Sequence, residues 1–161
     1  MDAEERFSAK VVMTETCHLW SGATNNDGYG KFRFGGKFWG VHRLAYTWCL
    51  GPIPAGYFID HTCHNRNCVR VSHLRVVTRK QNNENRSGAH ANSKSGVRGV
   101  YWIAGKNKWR VVVHHNKKNY YGGHYDSLVD AEKAAIAKRN ELFTHNERDR
   151  SSTTTIFSSR L

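Results

Sequence analysis

The chain has 161 residues, 39% of them hydrophobic, and its formal net charge at pH 7 is +12. This length suits one full domain or two small ones. The mean hydropathy is low, no apolar run approaches the roughly 18 residues of a membrane span, and no signal-peptide pattern is present. These features predict a soluble protein and argue against membrane insertion. The charge predicts a polyanionic partner, above all nucleic acid.

A β-hairpin is the first element that the pattern predicts in residues 1–86, the first unit. Apolar and basic residues alternate over residues 29–34, Gly35-Gly36 follows, and residues 37–41 complete the pattern. A short helix is predicted over residues 43–50, ended by a Gly-Pro pair.

The rest of this unit predicts the order strand, loop, strand and helix. Residues 58–59 lead as a strand into His61, and residues 74–77 form the returning strand. Thr78 and Gln81 have the spacing of a capping box, which predicts a helix start directly after that strand. Asn82 then falls in the first turns of the helix, and we expect it to face the strand that carries His61.

The loop between these strands has the ligand spacing of a zinc site. Cys63, Cys68 and His73 have the C-x4-C-x4-H spacing of a knuckle that folds around a tetrahedral ion. Four cysteines in a chain of this type favour metal binding over disulfides. His64 and Cys49 compete for the fourth ligand position, although the apolar surroundings of Cys49 predict a buried, inert thiol.

Asp60, His61 and Asn82 combine two hard oxygen donors with one imidazole. These groups can bind a magnesium-like ion and deprotonate a water, and the pKa of an imidazole suits a general base near neutral pH. In a regular strand Asp60 points away from the His61 face, but a distorted strand end could bring both to the ion. The alternative is a structural His61 that donates to the backbone; His64 and His42 are rival bases, and we interpret His42 as structural.

These residues resemble the ββα-metal fold of the HNH nucleases. Phage HNH proteins have Asp-His on the first strand and an Asn or His about 21 residues later, and the His-Cys box homing endonucleases share the pattern of His61, Cys63, Cys68 and His73. The match covers residues 17–86. It implies that Cys17 completes the zinc site. The middle position of the His-Asn-His motif is usually Asn; here it is His73, which we assign to the zinc ion.

The same resemblance implies how DNA is held and cut. One Mg²⁺, or Mn²⁺, would be bound by Asp60 and Asn82, with His61 as the general base and products that carry a 5′-phosphate and a 3′-hydroxyl. The basic hairpin residues Lys31, Arg33 and Lys37 would hold the DNA backbone. Lys37 stands nearest to an arginine that binds the cleaved phosphate in the His-Cys box family, and a lysine there loses bidentate geometry.

A small, polar linker is predicted over residues 87–95, followed by a second unit over 96–145. Strands are predicted over residues 97–102, 108–113 and 118–125, with a helix over 127–143 that covers the sheet. From residue 146 to 161 the composition predicts a flexible tail.

The second unit resembles the APETALA2-type DNA-binding domain. The resemblance rests on Arg98-Gly99-Val100, Lys108-Trp109, Tyr121 and an Ala-rich helix. It implies that the sheet lies in the major groove. Arg98, Trp109 and Tyr121 are assigned as DNA contacts because they match positions of that domain. Arg110, Lys117 and Lys118 are assigned on charge alone. The alternative is a generic basic module for protein contact.

Taken together, the sequence predicts an α+β protein of two units. The first is a ββα-metal nuclease with structural Zn²⁺ and catalytic Mg²⁺, and the second is a three-stranded sheet with one helix. The predicted function is an HNH DNA endonuclease, of homing type, that hydrolyses double-stranded DNA in the cytoplasm of a bacterial host. The rival prediction is a non-catalytic, zinc-containing DNA-binding regulator. The presence of Asp60, His61 and Asn82 together argues against the regulator, because a nuclease fold that serves only as a scaffold needs the zinc ligands but not these three residues.

Overall fold

A computed structural model of the protein describes residues 1–86 and 88–151. The chain divides into two compact units, Met1–Asn82 (unit 1) and Asn83–Leu161 (unit 2). Within the described residues, no helix combines the length and the apolar character that a membrane crossing requires.

Unit 1 is built from short helices and antiparallel strand pairs. Its elements in chain order are α1 (Ala3–Ser8), β1 (Val11–Met13), β2 (His18–Trp20), β3 (Lys31–Phe34), β4 (Lys37–Gly40), α2 (Val41–Leu50), β5 (Phe58–His61), β6 (Leu74–Val77) and the start of α3 (Arg79–Glu84), whose last two residues belong to unit 2. β1 pairs with β2, β3 with β4 and β5 with β6. Helix α2 begins two residues earlier than predicted, because Gly40 is extended and occupies the N-cap position.

Helix α1 was not predicted, although it begins with a capping box. Asp2 accepts a hydrogen bond from the Glu5 amide, and Glu5 accepts one from the Asp2 amide, both at 2.8 Å. The helix places Phe7 against Trp20 and Phe32, with ring centroids 5.0 and 5.4 Å apart. Since burying a Phe side chain contributes about 1.5–3 kcal/mol, α1 is an integral part of the unit 1 core.

Unit 2 is a three-stranded antiparallel sheet with one helix. Its elements are β7 (Val100–Ile103), β8 (Lys108–His115), β9 (Lys118–Tyr125) and α4 (Leu128–Leu142), with the strand order β7-β8-β9. Strand β7 starts later than the predicted residue 97, because Gly99 turns the chain with a φ of +83°. Ser127 caps α4 by accepting a hydrogen bond from the Val129 amide.

The core of unit 2 lies between α4 and the inner face of the sheet. Val100 and Val111 of the sheet pack with Ala131 and Ala135 of the helix, and all four are fully or almost fully buried. Alanines at these positions allow the helix backbone to approach the sheet closely, as the predicted helical stripe requires.

The prediction of a flexible tail from residue 146 is wrong for residues 146–151. Asn146 is buried, and Asp149 accepts hydrogen bonds from both Nε and Nη2 of the buried Arg139, at 2.6 and 3.0 Å. A buried arginine requires such a carboxylate partner, and the polar composition of this segment hid that role. Residues 152–161 lie outside the described residues.

The first residues of unit 2 are also fixed by internal contacts. Glu84 is 4% exposed, and its Oε2 accepts hydrogen bonds from the amide and the hydroxyl of Thr144, both at 3.0 Å. Arg98 donates to the backbone carbonyls of Asn83 and Glu84 at 2.9 and 2.8 Å. The carbonyls at the C-terminal end of α3 therefore have an arginine as their partner, which is favourable at a helix end.

Candidate metal centre and active site

Three thiols and one imidazole meet in unit 1. The ligand atoms of Cys17, Cys63, Cys68 and His73 all lie within 4.8 Å of one another. The Nδ1 atom of His73 is 3.8 Å from the Sγ of Cys17 and 3.6 Å from that of Cys68. Tetrahedral zinc with Zn–S near 2.3 Å and Zn–N near 2.0 Å requires sulfur-to-nitrogen separations of about 3.6 Å. This cluster therefore fits a zinc ion.

The position of Cys17 depends on contacts that are distant in sequence. Strand β2, which follows Cys17, bridges to the segment that carries Cys68: the Val69 amide donates to the His18 carbonyl at 2.8 Å, and the Trp20 amide donates to the Asn67 carbonyl at 3.0 Å. Arg70 also donates to the Thr16 carbonyl at 3.1 Å. These bonds hold the upstream cysteine beside the knuckle.

Of the competing fourth ligands, neither belongs to the cluster. Cys49 is exposed at the end of α2, so the prediction of a buried thiol is wrong; it lies on the solvent side of an amphipathic helix. His64 lies inside the knuckle with a φ of 56°, where the loop reverses direction. Its ligand atoms are not among the four that meet.

Burial makes the cluster dependent on a bound ion. It raises the pKa of the Cys63 thiol to about 12 and also raises the pKa of Cys17, whereas it lowers the pKa of His73. A neutral imidazole is ready to ligate, but the thiols must lose their protons to the ion. We therefore expect zinc affinity to rise with pH.

The His61 ring is fixed by the zinc knuckle. Its Nε2 lies 3.0 Å from the Cys68 carbonyl oxygen, and the residue is buried at the end of β5. Because a carbonyl only accepts, Nε2 carries the hydrogen and the Nδ1 atom of the neutral ring carries the lone pair. Burial is the main cause that lowers the pKa of His61, so the ring is neutral at pH 7. This is the protonation state of a general base.

Asp60 lies on the opposite side of β5 from His61. The strand is regular here: Asp60 pairs with Arg75 and His61 with Leu74 across the β5–β6 ladder. The Asp60 carboxylate is buried and accepts from Nε and Nη2 of Arg75 at 3.0 and 2.8 Å. The strand-end distortion that would bring Asp60 and His61 to one ion is not present, so a metal-binding Asp60 would have to exchange its contact with Arg75.

Asn82 lies in α3, which starts with the predicted capping box. The Thr78 amide donates to the Gln81 side chain at 2.8 Å, and the Gln81 amide donates to the Thr78 hydroxyl at 3.3 Å. The capping-box prediction is confirmed. The side chain of Asn82 is half-buried, and its role as a metal ligand stays a prediction.

Comparison with known proteins identifies this part of the chain. Residues 40–84 match the family model described as HNH endonuclease. These residues are therefore similar to an HNH endonuclease domain. The matched stretch holds β5, β6, α3 and three of the four cluster ligands, while Cys17 lies upstream of it.

Several viral proteins are similar to part of this chain. Protein 7.7 of Escherichia phage T7 is 39% identical over 70 residues, 44% of this chain and 54% of that protein. The uncharacterized gene 5.3 protein of Enterobacteria phage T3 is 39% identical over 62 residues, 35% of this chain and 61% of that protein. An uncharacterized HNH endonuclease of Acanthamoeba polyphaga mimivirus is 38% identical over 61 residues, 37% of this chain and 32% of that protein.

Each match covers only part of this chain and only part of the relative. The chain spans a little over half the length of the phage relatives that it matches. No solved structure matches it. The family model ends at Glu84, so none of these findings supports the APETALA2-type resemblance of the second unit.

The basic hairpin of unit 1 exposes cations beside an aromatic ring. Lys31, Arg33 and Lys37 are all exposed, as predicted for β3 and β4. Arg33 is paired with Phe38, which is 71% exposed, and the Lys31 Nζ atom lies 5.9 Å from the centre of that ring. Phe38 was not among the predicted DNA contacts, although its place opposite a basic residue in the hairpin is visible in the sequence.

In unit 2, Arg110 and Tyr121 lie on the outer face of the sheet. Tyr101, Arg110 and His124 form one row across the three strands, and Tyr121 pairs with Val112 on the same face. The Tyr121 hydroxyl is hydrogen-bonded to His124. We call Tyr101, Arg110, Tyr121 and His124 the outer row; it combines cationic and aromatic groups with exposed edges.

The other predicted contacts of unit 2 are placed differently. Trp109 lies on the helix side of the sheet, 4.8 Å from Trp102 between ring centroids, so it is not brought together with Arg110. Arg98 is half-buried against Phe143 and donates to backbone carbonyls. Lys117 and Lys118 are exposed at the β8–β9 turn. The DNA contacts of all four residues stay predictions.

Proposed function

We propose that this protein is a zinc-stabilised HNH nuclease that hydrolyses phosphodiester bonds of double-stranded DNA. The observation that carries the proposal is the match of residues 40–84, which include Asp60, His61 and Asn82, to the family model described as HNH endonuclease. The hydrogen bond from His61 Nε2 to the Cys68 carbonyl couples the proposed base to a zinc ligand and leaves Nδ1 as the basic nitrogen. A structural His61 would make the same bond, so the family match favours catalysis and the bond defines which nitrogen would act.

The chemistry assigned to the chain is water activation. His61 Nδ1 accepts a proton from a water, whose oxygen attacks phosphorus while the bond to the 3′-oxygen breaks. The products are a 5′-phosphate and a 3′-hydroxyl. Asp60 and Asn82 are the proposed ligands of Mg²⁺ or Mn²⁺, which would supply charge stabilisation at the phosphate and at the leaving oxygen. Ligation by Asp60 requires Arg75 to move to another partner, and the incoming phosphate is a suitable one.

DNA recognition is assigned to two surfaces. The exposed hairpin residues Lys31, Arg33 and Lys37 would contact the phosphate backbone. The outer row of unit 2 would lie against the DNA as in the APETALA2-type resemblance. The resemblance to phage homing endonucleases supports a homing role, and the similarity to phage proteins supports a place in the cytoplasm of a bacterial host.

A cleavage assay tests the proposal directly. The purified protein with Mg²⁺ is expected to convert supercoiled plasmid or phage DNA to nicked or linear forms, with 5′-phosphate ends detected by ligation or end labelling. The same reaction without added Mg²⁺ is the matched control, because it leaves the zinc site untouched. Tight DNA binding without cleavage in Mg²⁺ or Mn²⁺ would instead favour the non-catalytic regulator.

The outer row gives a prediction for DNA affinity. Arg110→Ala is expected to weaken DNA binding, by about 1–3 kcal/mol if it contacts a base; if it contacts a phosphate, the salt slope of log K should fall by about 0.9. Lys133→Ala is the matched control, because Lys133 is 66% exposed on α4 and the change removes the same charge. Binding is measured by fluorescence anisotropy across a salt series. Equal losses for both variants would show that only net charge matters and that the outer row does not contact DNA.

A further inference from the structure

His42 is a buried imidazole beside the proposed base. It lies in the first turn of α2, and its ring centroid is 5.0 Å from that of His61 and 5.2 Å from that of Tyr29. The residue is only 9% exposed. The sequence alone favours a structural role for it.

The Nδ1 atom of His42 is buried and has no hydrogen-bond partner among the residues that the structure describes. Buried polar atoms in native proteins are almost always hydrogen-bonded, so an exception requires an explanation. A purely structural histidine would be expected to bond the backbone or a neighbouring side chain. The edge of the ring with Cε1 and Nδ1 faces Gly40, where an added Cβ would lie 3.1 Å from Cε1 and 3.5 Å from Nδ1, so a larger residue there would press on this edge.

The surroundings keep this ring neutral. Burial, followed by the neighbouring His61 and Arg43, lowers the pKa of His42 to about 3. A neutral imidazole has one nitrogen that donates and one that accepts. His42 is therefore unsuited to donate a proton to the leaving oxygen, but it can accept a hydrogen bond at pH 7.

We propose that His42 Nδ1 and His61 Nδ1 together hold the attacking water. Each accepts one of its O–H groups, so that a lone pair of the oxygen is directed at phosphorus, and the proton that leaves goes to His61. Two acceptors that share one water lie about 4.5 Å apart, given hydrogen bonds of about 2.8 Å, and the centroids of the two rings are 5.0 Å apart. This role rests on the proposed nuclease function and adds a second catalytic imidazole to it.

Three substitutions at one position test the assignment of the atom. His42→Leu removes both nitrogens, His42→Asn places an amide oxygen near the position of Nδ1, and His42→Gln places its amide near the position of Nε2. We expect single-turnover cleavage to fall about 10²-fold in the Leu and Gln variants, and the Asn variant to recover at least tenfold over Leu. Zinc content, thermal stability and affinity for DNA, measured in Ca²⁺, should stay the same in all three.

The possible results separate the two proposals. Wild-type cleavage rates in His42→Leu, or equal losses in the folded Asn and Gln variants, would overturn the role of His42 and leave the nuclease function intact. Recovery by Gln but not by Asn would also overturn it, because the active atom would then be Nε2. If His42→Leu does not fold, the comparison of Asn with Gln still decides. Absence of cleavage by the unaltered protein would overturn the nuclease function itself.

Discussion

His61→Ala is expected to reduce DNA cleavage by about 10²–10⁴-fold, the usual effect of removing one positioned base. Zinc content and DNA affinity should stay near those of the unaltered protein, since the imidazole is not one of the four cluster ligands. Single-turnover cleavage, elemental analysis and anisotropy measure the three quantities.

His61→Gln is the matched variant that separates the base from the hydrogen bond to Cys68. Its side-chain amide can replace the Nε2 donor but offers no basic nitrogen at the position of Nδ1. We expect it to be as inactive as His61→Ala. An active His61→Gln would assign His61 a structural role, and normal cleavage by both variants would transfer the base to His64 or His42.

Cys63→Ser is expected to release zinc and to unfold unit 1. A hydroxyl is a poor zinc ligand, and structural zinc provides an apparent 10–16 kcal/mol, order of magnitude, in small zinc-dependent folds. Loss of the ion would leave buried thiols without a compensating partner, because Cys17 and Cys68 are 8% and 0% exposed. Elemental analysis and circular dichroism measure the effect.

Cys49→Ser is the control for this prediction. It makes the same chemical change at an exposed cysteine outside the cluster, so zinc content and fold should not change. Zinc retained by folded Cys63→Ser protein would show that Cys63 is not a ligand. Zinc lost from Cys49→Ser would show that the geometric cluster is not the binding site.

Local patterns were sufficient to predict several elements of this fold. The hairpin around Gly35-Gly36, the capping box at Thr78 and the three ligands Cys63, Cys68 and His73 are each encoded within a few residues. In such segments the turn, the cap or the ligand spacing has its partner nearby in the chain.

Features that depend on distant partners could not be predicted in this way. Cys17 becomes a ligand through the contacts of β2 with residues 67–69, and only the resemblance to a known family suggested it. The unpartnered Nδ1 of His42 becomes visible only when α2 packs beside β5. From the sequence alone Asp149 belongs to a polar tail, and its role as the hydrogen-bond partner of the buried Arg139 is apparent only in the folded chain.

The contacts of Glu84 constrain how this protein could exchange parts with its relatives by recombination. Glu84 and Asn85 precede the polar segment that looks like a natural junction, yet they are 4% and 2% exposed and are bonded to Thr144 and Glu147. A chimera joined at residue 87 would combine these two side chains with a foreign second half that lacks their partners. A viable crossover would have to inherit the last turn of α3 together with the sheet and helix that follow it, so the unit of inheritance begins inside a helix that the HNH family model matches.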